Sequence, residues 1–441
     1  MKNIKFGTDG VRGVWGKDID RSVCTLIGVA IRMYFGEGRY IVGRDSRPSG
    51  VCMLQAMLSG ISGDNVDVVD VGIVPTPVVA FGTKLYQCNC GIVLTASHNP
   101  CEYNGIKIFG SDGSKLSPMI EQEFGHLLNQ LQESKYDLYP VIRPTYVDIT
   151  REYIDSIVRD MPSLSSLSVS LDCSCGAMGD LAQRAFEKLG AHVVAYNTEY
   201  DGNSINANCG ALYPQFLLQR MQQDNTNVGF CFDGDADRLV VLHNDRIVDG
   251  DSVLYNIAQT IDFGTNNTVV ATELSNGGLH KAFNQQGLKL IRTSVGDKYI
   301  VQEMIQHDYI LGGEQSGHYI IRPYATTGDG LLASLFFCKS LLLNNPPQLI
   351  PLIPQKSVAI YTSHSIVDSI ELAQLVAKYN LMLKPIEGRV VVRYSGTEPK
   401  IRMMVECVDS ALIDTILQDF VDFVTNYNRI DYNKAVKLVA N

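Results

Sequence analysis

The sequence predicts an α/β protein: three similar α/β domains with mixed, mostly parallel sheets, then a smaller C-terminal α+β domain, the four domains around one cleft. Three observations predict it. The chain has 441 residues, more than a single domain of roughly 100–200 residues holds. One pattern, an apolar run ending in an acidic residue and a nearby serine, then glycine, an amphipathic helix and a second apolar run, occurs three times. A Pro-rich stretch from Asn344 to Pro354 then breaks that pattern and precedes a segment of different character.

The first repeat opens with Tyr40-Ile-Val-Gly-Arg-Asp-Ser, continues in a helix through Gln55 to Ile61, and returns in the apolar run Val66 to Val71. In the second, Val169-Ser-Leu-Asp-Cys-Ser leads to a helix with Met178, Leu181, Ala182, Ala185, Phe186 and Leu189 on one face, stopped by Gly190. The third runs from Val269-Val-Ala-Thr-Glu-Leu-Ser through Gly277 and Gly278, a helix to Gln286, and a strand at Leu288 to Ile291. Strands alternating with helices of this length imply βαβ units with right-handed crossovers, and hence parallel sheets covered on both faces. Beyond the Pro-rich stretch, strands at Arg389 to Val392 and Ile401 to Val405 precede an amphipathic helix with Leu412, Ile413, Ile416, Leu417, Phe420 and Val424 inward. The expected domains are 1–150, 151–252, 253–362 and 363–441.

Hydrophobic residues make up 45% of the chain and charged ones 19%, the balance of an ordinary globular protein. A formal net charge of -10 argues against a surface that neutralises nucleic-acid phosphates or anionic lipid. A local basic pocket for a small anion remains compatible with that total. The first residues show no long apolar stretch, and no apolar run approaches the roughly 20 residues that span a bilayer, so the expected location is the cytosol. Eleven scattered cysteines, an odd number, point to free thiols instead of a disulfide framework.

Four short segments carry candidate chemistry. Thr95-Ala-Ser-His-Asn-Pro follows the apolar run from Gly91 to Leu94, so Ser97 sits just past a strand's C-terminal end, where open α/β sheets bind ligands. A hydroxyl there can act as a nucleophile or carry a phosphate, with His98 and the loop amides close by; a capped turn uses the same residue types. Asp233, Asp235 and Asp237 follow the apolar run Val228 to Phe232 at i, i+2 and i+4. They suit a hard cation that completes its shell with phosphate oxygens, whereas a calcium loop would need glycine where Arg238 stands and glutamate where Asn244 stands. A solvated acidic loop is the plain alternative.

In the third segment, Gly312 to His318, the alternation of Glu314, Ser316 and His318 would project the three the same way, towards sugar hydroxyls; a glycine-flanked turn would look similar. The fourth, Arg393-Tyr-Ser-Gly-Thr-Glu-Pro-Lys, joins an arginine, the hydroxyls of Ser395 and Thr397 and a glycine, groups that cradle a phosphate; a hairpin turn would look similar.

Gly7-Thr-Asp-Gly-Val-Arg-Gly, Thr95-Ala-Ser-His-Asn-Pro, Asp233-Gly-Asp-Ala-Asp-Arg, Gly313-Glu-Gln-Ser-Gly-His and Arg393-Tyr-Ser-Gly-Thr-Glu-Pro together resemble, in order and across the whole chain, the signatures of the α-D-phosphohexomutases. Gln315 and the opening motif resemble the branch that acts on glucosamine phosphates. The resemblance implies an isomerase in which Ser97 is a phosphoserine and Asp233, Asp235, Asp237 and a phosphoserine oxygen bind Mg²⁺. Arg238 would steady the phosphoryl group, Arg12 would lie beside the serine, and Lys107, from Tyr103-Asn-Gly-Ile-Lys, would handle the proton. Glu314 and Ser316 would read sugar hydroxyls, His318 would support their loop, and Arg393, Ser395 and Thr397 would hold the phosphate that does not react.

The implied reaction passes the phosphoryl group of Ser97 to a hexose phosphate, lets the hexose 1,6-bisphosphate turn round, and takes the other phosphoryl group back. Glucosamine 6-phosphate and glucosamine 1-phosphate would interconvert in this way, supplying amino-sugar nucleotide synthesis. The partners expected are a small hexose phosphate, no nucleic acid and no membrane, in a monomer or homodimer. Ala236, Tyr394 and Lys298 stand where that branch usually has glycine, proline and arginine. They leave phosphoglucomutase or phosphomannomutase activity as the second expectation, and a phosphatase using the same serine as a third.

Overall fold

The computed structural model describes residues 10–344, 346–362, 366, 369–394, 400–428 and 436–439. Two compact units emerge: Met1–Ala271 with Gly296–Gln348, and Thr272–Val295 with Leu349–Asn441. The segment Thr272–Val295, inside the expected third domain, thus groups with the C-terminal part.

The first unit begins with a six-stranded sheet of β1 (Val11–Val14), β2 (Gly38–Arg44), β3 (Val66–Ile73), β4 (Cys90–Leu94), β5 (Tyr103–Gly110) and β6 (Thr145–Tyr146) in the order β1-β5-β4-β2-β3-β6. Strand β2 runs parallel to β3 and β4, and β3 to β6, while β5 is antiparallel to both β4 and β1. All five residues of β4 are buried, as expected for an apolar strand covered on both faces. Helices Arg21–Phe35 and Gly50–Ile61 pack against each other. Gly60 permits this: a Cβ there would lie 2.0 Å from the carbonyl oxygen of Thr25.

The second sheet holds β7 (Ser168–Asp172), β8 (His192–Tyr196), β9 (Val228–Phe232), β10 (Leu239–His243) and β11 (Arg246–Val248) in the order β11-β10-β9-β7-β8. Its β7 is parallel to β8 and β9, and the β9–β10 and β10–β11 pairs are antiparallel. The helix predicted over Met178 to Leu189 is confined to Leu181–Lys188, with Met178 buried in the preceding turn and Gly190 at φ 86 just beyond. β12 (Thr268–Thr272) then pairs in parallel with a strand further along the chain, Leu311–Gly313, which is antiparallel to Tyr319–Ile321. Helix Gly330–Leu343 is apolar almost all round because nearly all of it is buried.

In the second unit, helix Gly277–Gln285 packs on β13 (Lys289–Thr293). With β14 (Leu311–Gly313) and β15 (Tyr319–Ile321) numbered in the first unit, the remaining strands are β16 (Gln355–Tyr361), β17 (Arg389–Tyr394), β18 (Lys400–Glu406) and β19 (Val436–Val439). They form an antiparallel sheet in the order β17-β18-β16-β19, beside helices Ile370–Leu383 and Ser410–Asn428. Its core includes Ile413, Ile416, Leu417, Phe420 and Val424, the face read from the sequence. Buried Glu406 accepts from Arg389 Nε at 2.9 Å, and the same guanidinium donates to the carbonyls of Glu273 and Ser275. Through those two carbonyls Arg389 ties the two chain segments of this α+β unit together. Among the described residues no helix is long and apolar enough to cross a membrane.

Candidate active site

Ser97 follows the C-terminal end of β4 in a buried loop with φ 51, a left-handed conformation. That turn of the backbone lets Ser97 Oγ donate to Asp233 Oδ2 at 2.5 Å and lie 3.2 Å from His98 Nδ1. Burial, helped by Arg238 and Arg12, pushes the His98 imidazole down to about 3, so it is neutral near pH 7. Arg12, on β1 opposite Gly105, donates to Asn99 Oδ1 at 3.1 Å.

Asp233, Asp235 and Asp237 occupy the connection between β9 and β10, all buried, with one oxygen of each lying within 4.8 Å of the others. Gly234 between them lies against the Ser97 loop, where a Cβ would stand 2.6 Å from Ser97 O. Asp233 and Asp237 are driven in opposite directions. Burial, then Asp237 and Asp235, raise Asp233 to about 7. Burial opposes the charge of Asp237 as well, but Lys107 and His318 outweigh it and hold that carboxyl well below the usual range. Lys107 Nζ, buried, sits 2.6 Å from Asp235 Oδ2 and 2.6 Å from Asp237 Oδ2. Thr76 Oγ1 also donates to Asp235 Oδ2, whereas the buried Oδ1 of Asp235 has no hydrogen-bond partner among the described residues. Three convergent carboxylates with an orphaned, buried oxygen fit a hard cation such as Mg²⁺, which takes oxygen donors only.

The segment from Glu314 to His318 joins β14 to β15 as a tight turn, with Gly317 N bonded to Glu314 O and Glu314 N to His318 O. The alternation expected of an extended run is thereby corrected: Glu314 and His318 are buried and Ser316 is exposed. A turn brings positions i and i+4 together, so His318 Nδ1 lies 2.5 Å from Glu314 Oε1 while its Nε2 lies 3.2 Å from Asp237 Oδ1. Burial disfavours charge on both side chains, but Asp237 lifts His318 to about 10 and His318 draws Glu314 down to about 2. Arg238 Nε lies 3.3 Å from His318 Nε2. Ser97, His98, Arg12, Lys107, the three aspartates, Arg238, Glu314 and His318 thus belong to one continuous network in the first unit.

Arg393 lies on β17 of the second unit, opposite Arg402. Ser395 and Thr397 lie outside the described residues. Of the three unusual positions, Ala236 adopts φ 55 and Lys298 Nζ pairs with Glu121 Oε2 at 2.5 Å. Sequence reasoning missed Asp45, Arg47, Thr76 and Asn206, which reach the Ser97 and Asp235 loops through hydrogen bonds. The pair Asp45-Ser-Arg47 at the end of an apolar strand offered a signal; Asn206, in a polar segment, offered none.

Comparison with known proteins places this arrangement. The chain matches the phosphoglucomutase/phosphomannomutase alpha/beta/alpha domains I, II and III over residues 3–135, 151–246 and 249–350, and the C-terminal domain of that family over 384–423. It is 36% identical to a phosphoglucosamine mutase of Carboxydothermus hydrogenoformans, over 94% of this chain and 98% of that protein. It is 37% identical to one of Caldanaerobacter subterraneus, over 95% and 98%. A crystal structure of a phosphoglucomutase/phosphomannomutase family protein from Burkholderia thailandensis superposes with a TM-score of 0.78 at 24% identity, over 98% of each chain. The chain belongs to the phosphoglucomutase/phosphomannomutase family, the α-D-phosphohexomutases.

Proposed function

We propose that this chain is a phosphoglucosamine mutase, interconverting glucosamine 6-phosphate and glucosamine 1-phosphate through a phosphoserine at Ser97 and a hexose 1,6-bisphosphate. The carrying observation is Ser97 Oγ at 2.5 Å from Asp233, one of three clustered buried carboxylates, with Lys107 against the other two. Mutase relatives matched over nearly the full chain support the substrate.

In the forward half-reaction, the bond between phosphorus and Ser97 Oγ breaks as a bond forms to the free sugar hydroxyl. Ser97 Oγ gains a proton and the hydroxyl loses one. Buried Lys107 and the neutral, half-buried imidazole of His98 carry the nitrogens placed for these transfers. Asp233, Asp235 and Asp237, with a phosphoserine oxygen, would hold Mg²⁺, which when bound neutralises phosphoryl charge. Arg238 and Arg12 supply further positive charge beside the serine loop. Glu314 and Ser316 would receive sugar hydroxyls, with His318 fixing Glu314. Arg393, Ser395 and Thr397 would hold the other phosphate. The reverse half-reaction returns the second phosphoryl group to Ser97, so nothing is hydrolysed. The assigned domains are 1–150, 151–252, 253–362 and 363–441.

A coupled assay with Mg²⁺, catalytic hexose bisphosphate and parallel glucosamine, glucose and mannose phosphates tests this reading. The highest kcat/KM is expected with glucosamine phosphate, and intact mass is expected to show a phosphorylated fraction that Ser97→Ala abolishes together with activity. A higher kcat/KM with glucose or mannose phosphate would reassign the substrate. Steady release of inorganic phosphate instead of isomer would make the enzyme a phosphatase.

A further inference from the structure

Arg47 is buried, and its guanidinium faces the loop that carries Ser97. A guanidinium has five N–H groups, and here each has an acceptor. Nε donates to Asp45 Oδ2 at 2.9 Å. Nη1 donates to Tyr103 O at 2.9 Å and to Pro100 O. Nη2 donates to Ser97 O at 2.9 Å and Asn99 O at 2.7 Å. Four of the five acceptors are therefore backbone carbonyls between residues 97 and 103.

Two further contacts converge on the same peptide groups. Asn206 Nδ2, from the stretch after β8, donates to Ser97 O at 3.0 Å and Asn99 O at 3.3 Å. Asp45 Oδ2 accepts from Thr95 Oγ1 at 2.6 Å, and Thr95 Oγ1 accepts from Ser97 N at 2.9 Å. The amide and the carbonyl of Ser97 thus both lead back to one buried ion pair. Ser97 holds φ 51, a conformation that L side chains rarely adopt and that persists only where surrounding contacts over-determine it. Its Oγ direction, 2.5 Å from Asp233, follows from that backbone angle.

We propose that the Asp45–Arg47 pair and Asn206 form a positioning clamp that holds Ser97 left-handed and thereby aims its oxygen, bare or phosphorylated, into the carboxylate cluster. This rests on the reading of Ser97 as the phosphoryl carrier. The clamp bonds to the serine loop's backbone and acts on transfer only through Ser97, so its loss slows turnover without weakening the grip on sugar phosphate.

The test is steady-state kinetics of Asn206→Ala and Arg47→Ala beside wild type and Ser97→Ala, each with its melting temperature. Asn206→Ala, which leaves all five Arg47 bonds in place, is expected to melt close to wild type, with kcat down about 10-fold and KM for glucosamine phosphate unchanged. A slightly misaimed nucleophile loses rate on this scale. Arg47→Ala is expected to lose at least about 100-fold in kcat and to regain part of it with millimolar guanidinium, but not with equal sodium chloride. Wild-type kcat in Asn206→Ala, or a KM that rises while kcat holds, overturns the clamp even if Arg47→Ala does not fold. Those results beside an inactive Ser97→Ala would sink the clamp alone, whereas a fully active Ser97→Ala would sink the phosphoserine reading beneath it.

Discussion

Ala236, between Asp235 and Asp237 in the acidic loop, holds φ 55, the left-handed region where glycine is at ease and a Cβ costs about 1–2 kcal/mol. The loop does not release it: Ala236 N donates to Asp233 O at 3.0 Å, and Ala236 O accepts from Gly330 N at 3.1 Å. Ala236→Gly is therefore expected to stabilise the protein by up to about 1 kcal/mol, the relief of strain exceeding the unfolded-chain entropy gained by glycine. Denaturant unfolding checks it, and a loss of stability would mean that the buried methyl group matters more. Asp329 gives a second test. It caps helix Gly330–Leu343 through Leu332 N, accepts from Tyr153 Oη, and is lifted by burial from 3.8 to about 6. A carboxyl raised in the folded state takes up protons on folding, so its stabilising contribution is complete below about 4 and is lost as pH rises to about 6. The change is on the order of 3 kcal/mol. Asp329→Asn keeps the cap and cannot titrate, so its stability relative to wild type should climb between pH 4 and 6 and then level off. A difference independent of pH would refute the buried-carboxyl account. The three aspartates were legible one residue at a time, because carboxylates at i, i+2 and i+4 after an apolar strand have few uses besides a cation. Asn206 was not, since its meaning lies in two carbonyls more than a hundred positions away.

At the scale of elements, periodicity located what is regular and failed where the backbone turns. The strands at Val228–Phe232 and Ser168–Asp172 and the inward face of helix Ser410–Asn428 followed from apolar runs and i, i+3, i+4 spacing. The alternation of Glu314, Ser316 and His318 points the three one way only if the segment is a strand, and Gly317 at φ 100 closes the glycine-flanked turn that looks similar in sequence. A glycine inside a helical pattern was equally silent about its purpose. Gly60 lies where helices Arg21–Phe35 and Gly50–Ile61 meet backbone to backbone, and a Cβ there would fall 2.0 Å from Thr25 O. No rotamer relieves a clash with main chain, so Gly60→Ala must part the helices. The better helix propensity of alanine, worth about 1 kcal/mol, is outweighed by overpacking that typically costs 1–3 kcal/mol. A lower melting temperature for Gly60→Ala is expected, and an unchanged or higher one would show that the helices separate freely.

Across the whole molecule, a net charge of -10 coexists with a site that must receive phosphorylated sugars, and local placement resolves the conflict. Lys107, Arg12, Arg238 and a protonated His318 gather around Ser97 and the aspartates, so the site's field is not the protein's average. Phosphorylation of Ser97 adds a charge of about -1.5 to -2 at pH 7 beside those carboxylates. Without a cation, that charge would compete with Asp235 and Asp237 for Lys107. On the function proposed above, a divalent ion held by the aspartates and a phosphoserine oxygen would remove the competition and so couple the ion's affinity to the state of Ser97. Ligand that binds only the folded protein stabilises it by about 2.7 kcal/mol at one hundred times its dissociation constant. Adding millimolar Mg²⁺ after chelation is therefore expected to raise the melting temperature of phosphorylated protein by more than it raises that of Ser97→Ala, and Asp235→Asn is expected to lose the response in both. Equal shifts in phosphorylated protein and Ser97→Ala would detach the ion from the phosphoserine. A full response in Asp235→Asn would move the ion away from the carboxylate whose Oδ1 has no hydrogen-bond partner among the described residues.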